Sequence, residues 1–177
     1  VEFGGKHGMV IIGHTLVWHS QTPSWVFQDP DGKPPTREVL LERMRDHIHT
    51  VMGRYKGRIR GWDVVNEALN EDGTLRPSPW LKIVGEDYLE KAFQFAHEAD
   101  PKAELYYNDY SLEGPRKREG AIRLLRKLQA AGVRVTGVGL QGHYALEHPS
   151  TRQIDETIEA FASLGLQVMI TELDVNV

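Results

Sequence analysis

The stretch Trp62-Asp63-Val64-Val65-Asn66-Glu67 decides how the rest of the chain is interpreted. It is a short, largely apolar run that ends on a carboxylate, and Ile170-Thr171-Glu172-Leu173-Asp174 has the same character near the C-terminus. In α/β barrels the residues at the carboxyl ends of the parallel strands face the substrate. A carboxylate at such a strand end is therefore placed for chemistry rather than for packing.

Two carboxylates at strand ends, Glu67 and Glu172, suggest hydrolysis of a glycosidic bond. That reaction needs one acid to protonate the leaving oxygen and a second carboxylate to attack the sugar or activate water. A glutamate at a strand end is often only a solvated loop residue. Here, however, Asn66 precedes Glu67 and can donate a hydrogen bond to a sugar hydroxyl, and Asp174 follows Glu172 on the same side of the pleat.

The composition narrows the class of protein. A chain of 177 residues with 40% hydrophobic content is globular and large enough to bury a core. It contains no apolar run of about eighteen residues and no charged leader before an apolar segment, so we expect no membrane association. The 21 Lys and Arg are balanced by 25 Asp and Glu, which leaves no basic stripe for nucleic acid. Without cysteine there is no disulfide, thiolate metal site or cysteine nucleophile.

Strand and helix patterns alternate along the whole chain. Helical spacing of apolar residues begins after Thr36, at Tyr88, at Pro115 and at Ile154. Short apolar runs predict strands at residues 9–14, 59–66, 103–107, 133–140 and 166–171. This alternation implies an α/β fold with parallel strands joined by right-handed crossovers. The residues from Asn70 to Trp80, with two prolines, are predicted to form a long loop after the second strand that could wall a binding cleft.

Polar side chains gather where the predicted strands end. Because the carboxyl ends of parallel strands meet at one edge, these residues should share a site. They are His14, Asn66, Glu67, Asn108, Tyr110, Gln141, His143, Glu172 and Asp174.

Three other patterns have simpler interpretations. The glycines of Gly137-Val138-Gly139-Leu140-Gln141-Gly142 match a dinucleotide-binding pattern, but they lie inside a predicted strand and the next helix begins only after Pro149. His14 with His19, or His143 with Glu172 and Asp174, has the chemistry of metal ligands, yet a sugar site uses the same residue types for hydrogen bonding. His47 and His49 lie on or beside the apolar stripe of a helix and are predicted to be structural or solvated. We therefore predict no metal and no cofactor.

Five motifs resemble those of glycoside hydrolase family 10, the endo-β-1,4-xylanases, and they occur in the family's order over nearly the whole chain. They are Gly13-His14-Thr15-Leu16-Val17-Trp18-His19-Ser20-Gln21, Trp62-Asp63-Val64-Val65-Asn66-Glu67-Ala68, Tyr107-Asn108-Asp109-Tyr110, Gly139-Leu140-Gln141-Gly142-His143 and Ile170-Thr171-Glu172-Leu173-Asp174.

The resemblance implies a (β/α)8 TIM barrel and a partial catalytic domain at residues 1–177. By the family pattern the five predicted strands are strands three to seven, and strands one, two and eight are not seen in this chain. An open five-stranded sheet leaves two unpaired edges, which natural proteins avoid. Other chain segments are therefore expected to complete the barrel.

The resemblance also implies a retaining double displacement with Glu172 as nucleophile and Glu67 as acid/base, their carboxyls roughly 5 to 5.5 Å apart. By the same analogy Asn66 bonds the 2-hydroxyl of the sugar, His143 holds Glu172, and Asp174 orients His143. The remaining expected substrate contacts are His14, Trp18 and Gln141 around the sugar next to the cut, and Asn108 and Tyr110 on the leaving-group side.

The expected substrate is xylan or its oligosaccharides, and a polymer too large to enter a cell implies secretion. Two alternatives stay open. Retaining barrel glycosidases that act on β-1,4-glucan also place Asn-Glu on one strand and a nucleophile on a later one. A fragment of such a domain could also bind sugar without turnover, or be inert.

Overall fold

The computed structural model describes residues 1–177 and contains six helices and seven strands. In chain order they are α1 (Glu2–Lys6), β1 (Ile12–Trp18), α2 (Arg37–Tyr55), β2 (Gly61–Asn66), α3 (Pro79–Val84), α4 (Tyr88–Ala99), β3 (Glu104–Asp109), α5 (Pro115–Ala130), β4 (Gly137–Leu140), β5 (His143–Ala145), α6 (Thr151–Ala162), β6 (Gln167–Ile170) and β7 (Asp174–Asn176). A single 3-10 turn, Ser24–Phe27, lies between β1 and α2.

Five strands form one parallel sheet in the order β1-β2-β3-β4-β6, so that strands neighbouring in the sheet follow one another along the chain. Helices connect them, as the alternation of patterns predicted. The short strands β5 and β7 form a separate parallel pair in which His143 stands opposite Asp174. The predicted parallel α/β architecture is confirmed.

Helix α2 shows how local sequence sets an element. The side chain of Thr36 accepts a hydrogen bond from the backbone N–H of Val39 and caps the helix. Residues four apart then fall on one face, and that face is buried. Its buried members are Leu40, Met44, Ile48 and Met52. Truncating one of them to alanine would cost about 2 to 5 kcal/mol, because the cavity left behind refills only partly.

The hydrophobic core lies between the sheet and the helices, and it contains 33 buried apolar residues. Strand β2 is at its centre, with all six residues buried. Strand β6 lies at an edge of the sheet, and Ile170 is 40% exposed there. No helix combines the length and the apolar character that crossing a membrane requires.

Three predicted boundaries differ from the structure. Strand β1 does not stop at His14 but runs to Trp18, with a register irregularity between His14 and Val17 that keeps it paired with β2. The predicted loop after β2 ends in a helix, α3, because the Ser78 side chain caps it and Pro79 occupies its first turn. The fourth predicted strand, 133–140, forms only over its second half.

Candidate active site

Glu67 directly follows β2, and residues from two other strands donate hydrogen bonds to both oxygens of its carboxylate. The indole N–H of Trp18, at the end of β1, donates to Oε2 at 2.9 Å. The side-chain amide of Gln141, just after β4, donates to Oε1 at 3.1 Å. Two donors on two strands therefore fix the plane of this carboxylate.

Glu172 follows β6 and is also contacted at both oxygens. The amide nitrogen of Asn108, in β3, donates to Oε1 at 2.8 Å. Nε2 of His143 lies 3.4 Å from Oε2, and Nδ1 of His14 lies 3.9 Å from Oε1. The Glu172 side chain is 30% exposed, so its carboxylate stays partly accessible although both of its oxygens are contacted by neighbouring side chains.

Three buried amides connect the two glutamates. Oδ1 of Asn66 accepts from Asn108 at 2.9 Å and from Gln141 at 3.2 Å, while those two amides also donate to Glu172 and Glu67 respectively. Asn66, Asn108 and Gln141 are 3%, 0% and 2% exposed. Asn108 has no exposed surface in this chain and donates to Glu172, and its expected place on the leaving-group side stays a prediction.

Two histidine–aspartate pairs flank Glu172. Nδ1 of His14 lies 2.9 Å from Oδ2 of Asp63, and Nδ1 of His143 lies 2.5 Å from Oδ2 of Asp174. The hydrogen bond with Asp63 raises the pKa of His14, although burial opposes it. The hydrogen bond with Asp174 raises the pKa of His143, and the charge of Glu172 adds to the effect. Burial raises the pKa of Asp63 despite its histidine.

The backbone of Glu67 has an uncommon conformation. Its φ is 56°, in the left-handed region that residues other than glycine seldom adopt. Its N–H donates to the Asn108 carbonyl at 2.9 Å, and its own carbonyl accepts from Nε of Arg76 at 3.0 Å. A strained backbone conformation of this kind persists only where surrounding contacts stabilise it, and it occurs most often at functional sites.

Sequence reasoning missed two residues that support the site from a distance. Trp80, in α3, donates its indole N–H to the Trp18 carbonyl at 2.9 Å and so fixes the residue that holds Glu67. Arg76 lies in the loop that was predicted only to wall a cleft. Neither residue had a signal in the sequence beyond its place in that loop, because most of their acceptors are backbone carbonyls, which no residue pattern marks.

Lys117 is a third missed residue, and it is a buried cation with 1% of its side chain exposed. Its Nζ lies 3.0 Å from Asp109 and from Glu71, and 3.4 Å from the centre of the Tyr110 ring. Tyr110 is thus held against β3, next to the site. Tyr107 donates its hydroxyl to the other oxygen of Asp109 at 2.5 Å.

One cavity borders Glu172, and two others border residues that contact the carboxylates. A cavity of about 290 Å³ lies against His14, Asp63 and Glu172. A larger one of about 550 Å³ borders His14 and Trp18, and a polar one of about 390 Å³ borders His143 and Tyr144. No group of three or more His, Asp or Glu side chains is arranged to hold a metal ion.

The sequence profile of Glycosyl hydrolase family 10 matches residues 1–177, the full length of the chain. The chain belongs to glycosyl hydrolase family 10. Its five parallel strands, adjacent in chain order, are accordingly part of a (β/α)8 barrel, the fold class that the motifs predicted.

Several similar proteins are xylanases by name. Endo-1,4-beta-xylanase A of Xylanibacter ruminicola is 52% identical over 99% of this chain and 48% of its own length. A GH10 endoxylanase from a sugarcane soil metagenome superposes with a TM-score of 0.97 at 51% identity, over 99% of this chain and 52% of that one. The chain thus spans about half the length of the curated relatives that it matches.

A third similar protein was solved with sugars bound. It is an intracellular xylanase from Thermoanaerobacterium saccharolyticum, with TM-scores of 0.96 at 45% identity, over 100% of this chain and 57% of that one. One structure is a complex of a glutamate-to-alanine mutant with xylotriose, and another is a complex of a second such mutant with xylotetraose.

Proposed function

We propose that this chain carries the reaction centre of a retaining endo-β-1,4-xylanase, with Glu172 as nucleophile and Glu67 as acid/base. The observation that carries the proposal is the pair of strand-end glutamates, each contacted at both oxygens and linked through three buried amides. The two glutamates changed in the sugar complexes of the Thermoanaerobacterium enzyme are 105 positions apart, as are Glu67 and Glu172 here.

In the first step the Glu172 carboxylate attacks the anomeric carbon, and the bond to the leaving sugar breaks. Glu67, protonated, gives its proton to the departing oxygen. Asn108 and His143 contact different oxygens of Glu172 and fix the plane of the attacking carboxylate. Trp18 and Gln141 do the same for Glu67, so that its proton is aimed at the leaving oxygen.

In the second step Glu67 is a carboxylate and accepts a proton from water. The water attacks the anomeric carbon from the side that the leaving group vacated, and the bond to Glu172 breaks. Glu67 is then protonated again and Glu172 is again a carboxylate. Two inversions at one carbon give net retention.

We propose substrate contacts for residues around the two carboxylates. His14 and Trp18, which border the larger cavity, would line the sugar next to the cut together with Gln141, and Asn66 would bond its 2-hydroxyl. Asn108 and Tyr110 would lie on the leaving-group side, and His143 would hold Glu172, from which its Nε2 is 3.4 Å away.

We further propose that residues 1–177 are a partial catalytic domain, completed by other segments that cover the edges of the sheet at β1 and β6. The substrate would be xylan or its oligosaccharides, and the site of action would be outside the cell, because a polymer of this size does not cross a membrane. Xylanase activity in the culture medium rather than in lysed cells would test the last point.

Release of phenol from phenyl β-xylobioside tests the reaction, and phenyl β-cellobioside tests the specificity. We expect faster turnover of the xylobioside, with Glu172→Gln inactive although it folds as the wild type does. Faster turnover of the cellobioside would assign the site to β-1,4-glucan. Binding of xylohexaose by a folded protein without turnover would show a sugar-binding function instead. The assay compares the 177-residue chain with the same chain extended by its flanking segments.

A further inference from the structure

Arg76 plays no part in the two reaction steps, yet its side chain donates three hydrogen bonds around Glu67. Nε donates to the Glu67 carbonyl at 3.0 Å, and Nη2 donates to the Leu69 carbonyl at 3.0 Å and to the Tyr110 hydroxyl at 2.8 Å. A half-buried guanidinium therefore joins the backbone on both sides of Ala68 to a side chain that follows β3.

The loop after β2 is built to return Arg76 to this position. Leu69 and Leu75 form an antiparallel bridge, and the backbone N–H of Arg76 donates to the Ala68 carbonyl at 2.8 Å. The turn between them contains Gly73 at φ 79°, where a Cβ would lie 2.5 Å from the Arg116 carbonyl. The turn is thus fixed by its glycine and by contact with α5, and Arg76 follows it at a set place.

Glu67 needs such support because its φ of 56° is a conformation that an L residue holds only when its surroundings impose it. The direction of the Glu67 side chain depends on this backbone angle. A relaxation toward the ordinary region would swing the carboxyl away from Trp18 and Gln141. Arg76 opposes that relaxation by holding the Glu67 carbonyl.

We infer that Arg76 is a positioning residue for proton transfer by Glu67, acting through the backbone and not by contact with the sugar. The inference rests on the proposed function, since it takes Glu67 to be the acid/base. A guanidinium suits the task because its planar fork satisfies several acceptors at fixed angles, which a lysine ammonium does not. Its third acceptor, Tyr110, is itself held by Lys117 beneath its ring.

The test uses Arg76→Lys, which keeps the positive charge but removes the planar guanidinium group. The variant is assayed on two aryl β-xylobiosides that differ in their leaving group. Phenol is a poor leaving group and needs the proton from Glu67, whereas dinitrophenol departs without it. We expect kcat/KM of Arg76→Lys to fall roughly 10- to 100-fold for the phenyl substrate and less than about threefold for the dinitrophenyl one. The ratio of the two values does not depend on the fraction of protein that is folded.

Two variants make the result decisive. Glu67→Ala is the reference, and it should show the same unequal loss in stronger form. Arg118→Lys is the matched control, because Arg118 joins α5 to α6 through Thr157 away from the carboxylates, and it should leave the ratio unchanged. Equal losses on both substrates in Arg76→Lys, with an unequal loss in Glu67→Ala, would overturn the inference alone. Equal losses in Glu67→Ala would overturn the proposed function of Glu67 and the inference with it.

Discussion

Asn108 donates its side-chain amide to Glu172 at 2.8 Å while its carbonyl oxygen accepts from the Thr171 hydroxyl at 2.7 Å. The side-chain nitrogen and oxygen of Asn108 are therefore both oriented by hydrogen bonds to two consecutive residues that follow β6. Because Asn108 has no exposed surface, water cannot replace a lost partner, and the donor role of its nitrogen is fixed by the network.

We expect Asn108→Asp to lower kcat for aryl xylobiosides by roughly 10- to 100-fold, since it replaces a buried donor to Glu172 by a second acceptor. Thr171→Val is the matched change. It removes the hydrogen bond to the side-chain oxygen of Asn108 but leaves the amide donor to Glu172, and it should therefore lower kcat less than Asn108→Asp does. Steady-state kinetics of both proteins, with thermal unfolding as the check on folding, tests this. Equal losses would show that Asn108 matters for packing and not for Glu172.

Gly139 makes room for Asn108, and we expect Gly139→Ala to damage both stability and turnover. A Cβ at this position would lie 2.2 Å from Oδ1 of Asn108 and 2.8 Å from Cγ2 of Thr171, so that one of them must move. Overpacking of this kind costs about 1 to 3 kcal/mol of unfolding free energy. Gly53→Ala, in α2 with nothing within 4 Å of the added methyl, should instead stabilise the protein by up to about 1 kcal/mol. Urea unfolding of the two variants measures their free energies of unfolding, and the kcat of Gly139→Ala for an aryl xylobioside measures the loss of turnover.

The His143–Asp174 pair predicts a pH dependence of stability. Because Asp174 and Glu172 raise the pKa of His143 above 6.5, the charged ring stabilises the folded state in full below about pH 6.5. That stabilisation is lost as the pH rises through the folded pKa. The Tm of Asp174→Asn should therefore fall below that of the wild type at pH 5 to 6 and approach it at higher pH.

Asp155→Asn, at an exposed acid on α6, is the control for the removal of a surface charge. Titration of the His143 ring by NMR gives the direct measurement. A His143 pKa that is the same in the wild type and in Asp174→Asn would contradict the prediction.

Substitution of Lys117 should lower the free energy of unfolding strongly, because this buried lysine is the cation partner of Asp109. Burial raises the pKa of Asp109, and the ammonium of Lys117 opposes that shift. We expect Lys117→Met to cost about 3 to 5 kcal/mol, because it leaves a buried carboxylate without its cation. Adding Asp109→Asn should recover part of the loss, as measured by urea unfolding. A double variant less stable than Lys117→Met would show that the two residues do not act as a pair.

The alternation of strands and helices and most of the strand-end residues were predictable from sequence because they depend on local patterns. Apolar runs, helix caps such as Thr36, and breakers such as Pro115 act over a few residues. The extension of β1 to Trp18 was not predictable in this way, since it depends on pairing with residues about fifty positions later. The contacts of Arg76 and Trp80 were not predictable either, because they are made mostly to backbone carbonyls, which no residue pattern marks.

The order of strands in the sheet also affects the distance between the carboxylates of Glu67 and Glu172. Glu67 follows β2 and Glu172 follows β6, with β3 and β4 between them. Neighbouring strands are about 4.8 Å apart, so on a flat sheet the two strand ends would be separated by roughly 14 Å. A retaining reaction needs roughly 5 to 5.5 Å. Closure of the sheet into a (β/α)8 barrel shortens this gap, and the hydrogen bonds among Asn66, Asn108 and Gln141 connect the two glutamates across it. Residues that set the twist of β3 and β4 therefore contribute to the spacing of the carboxylates.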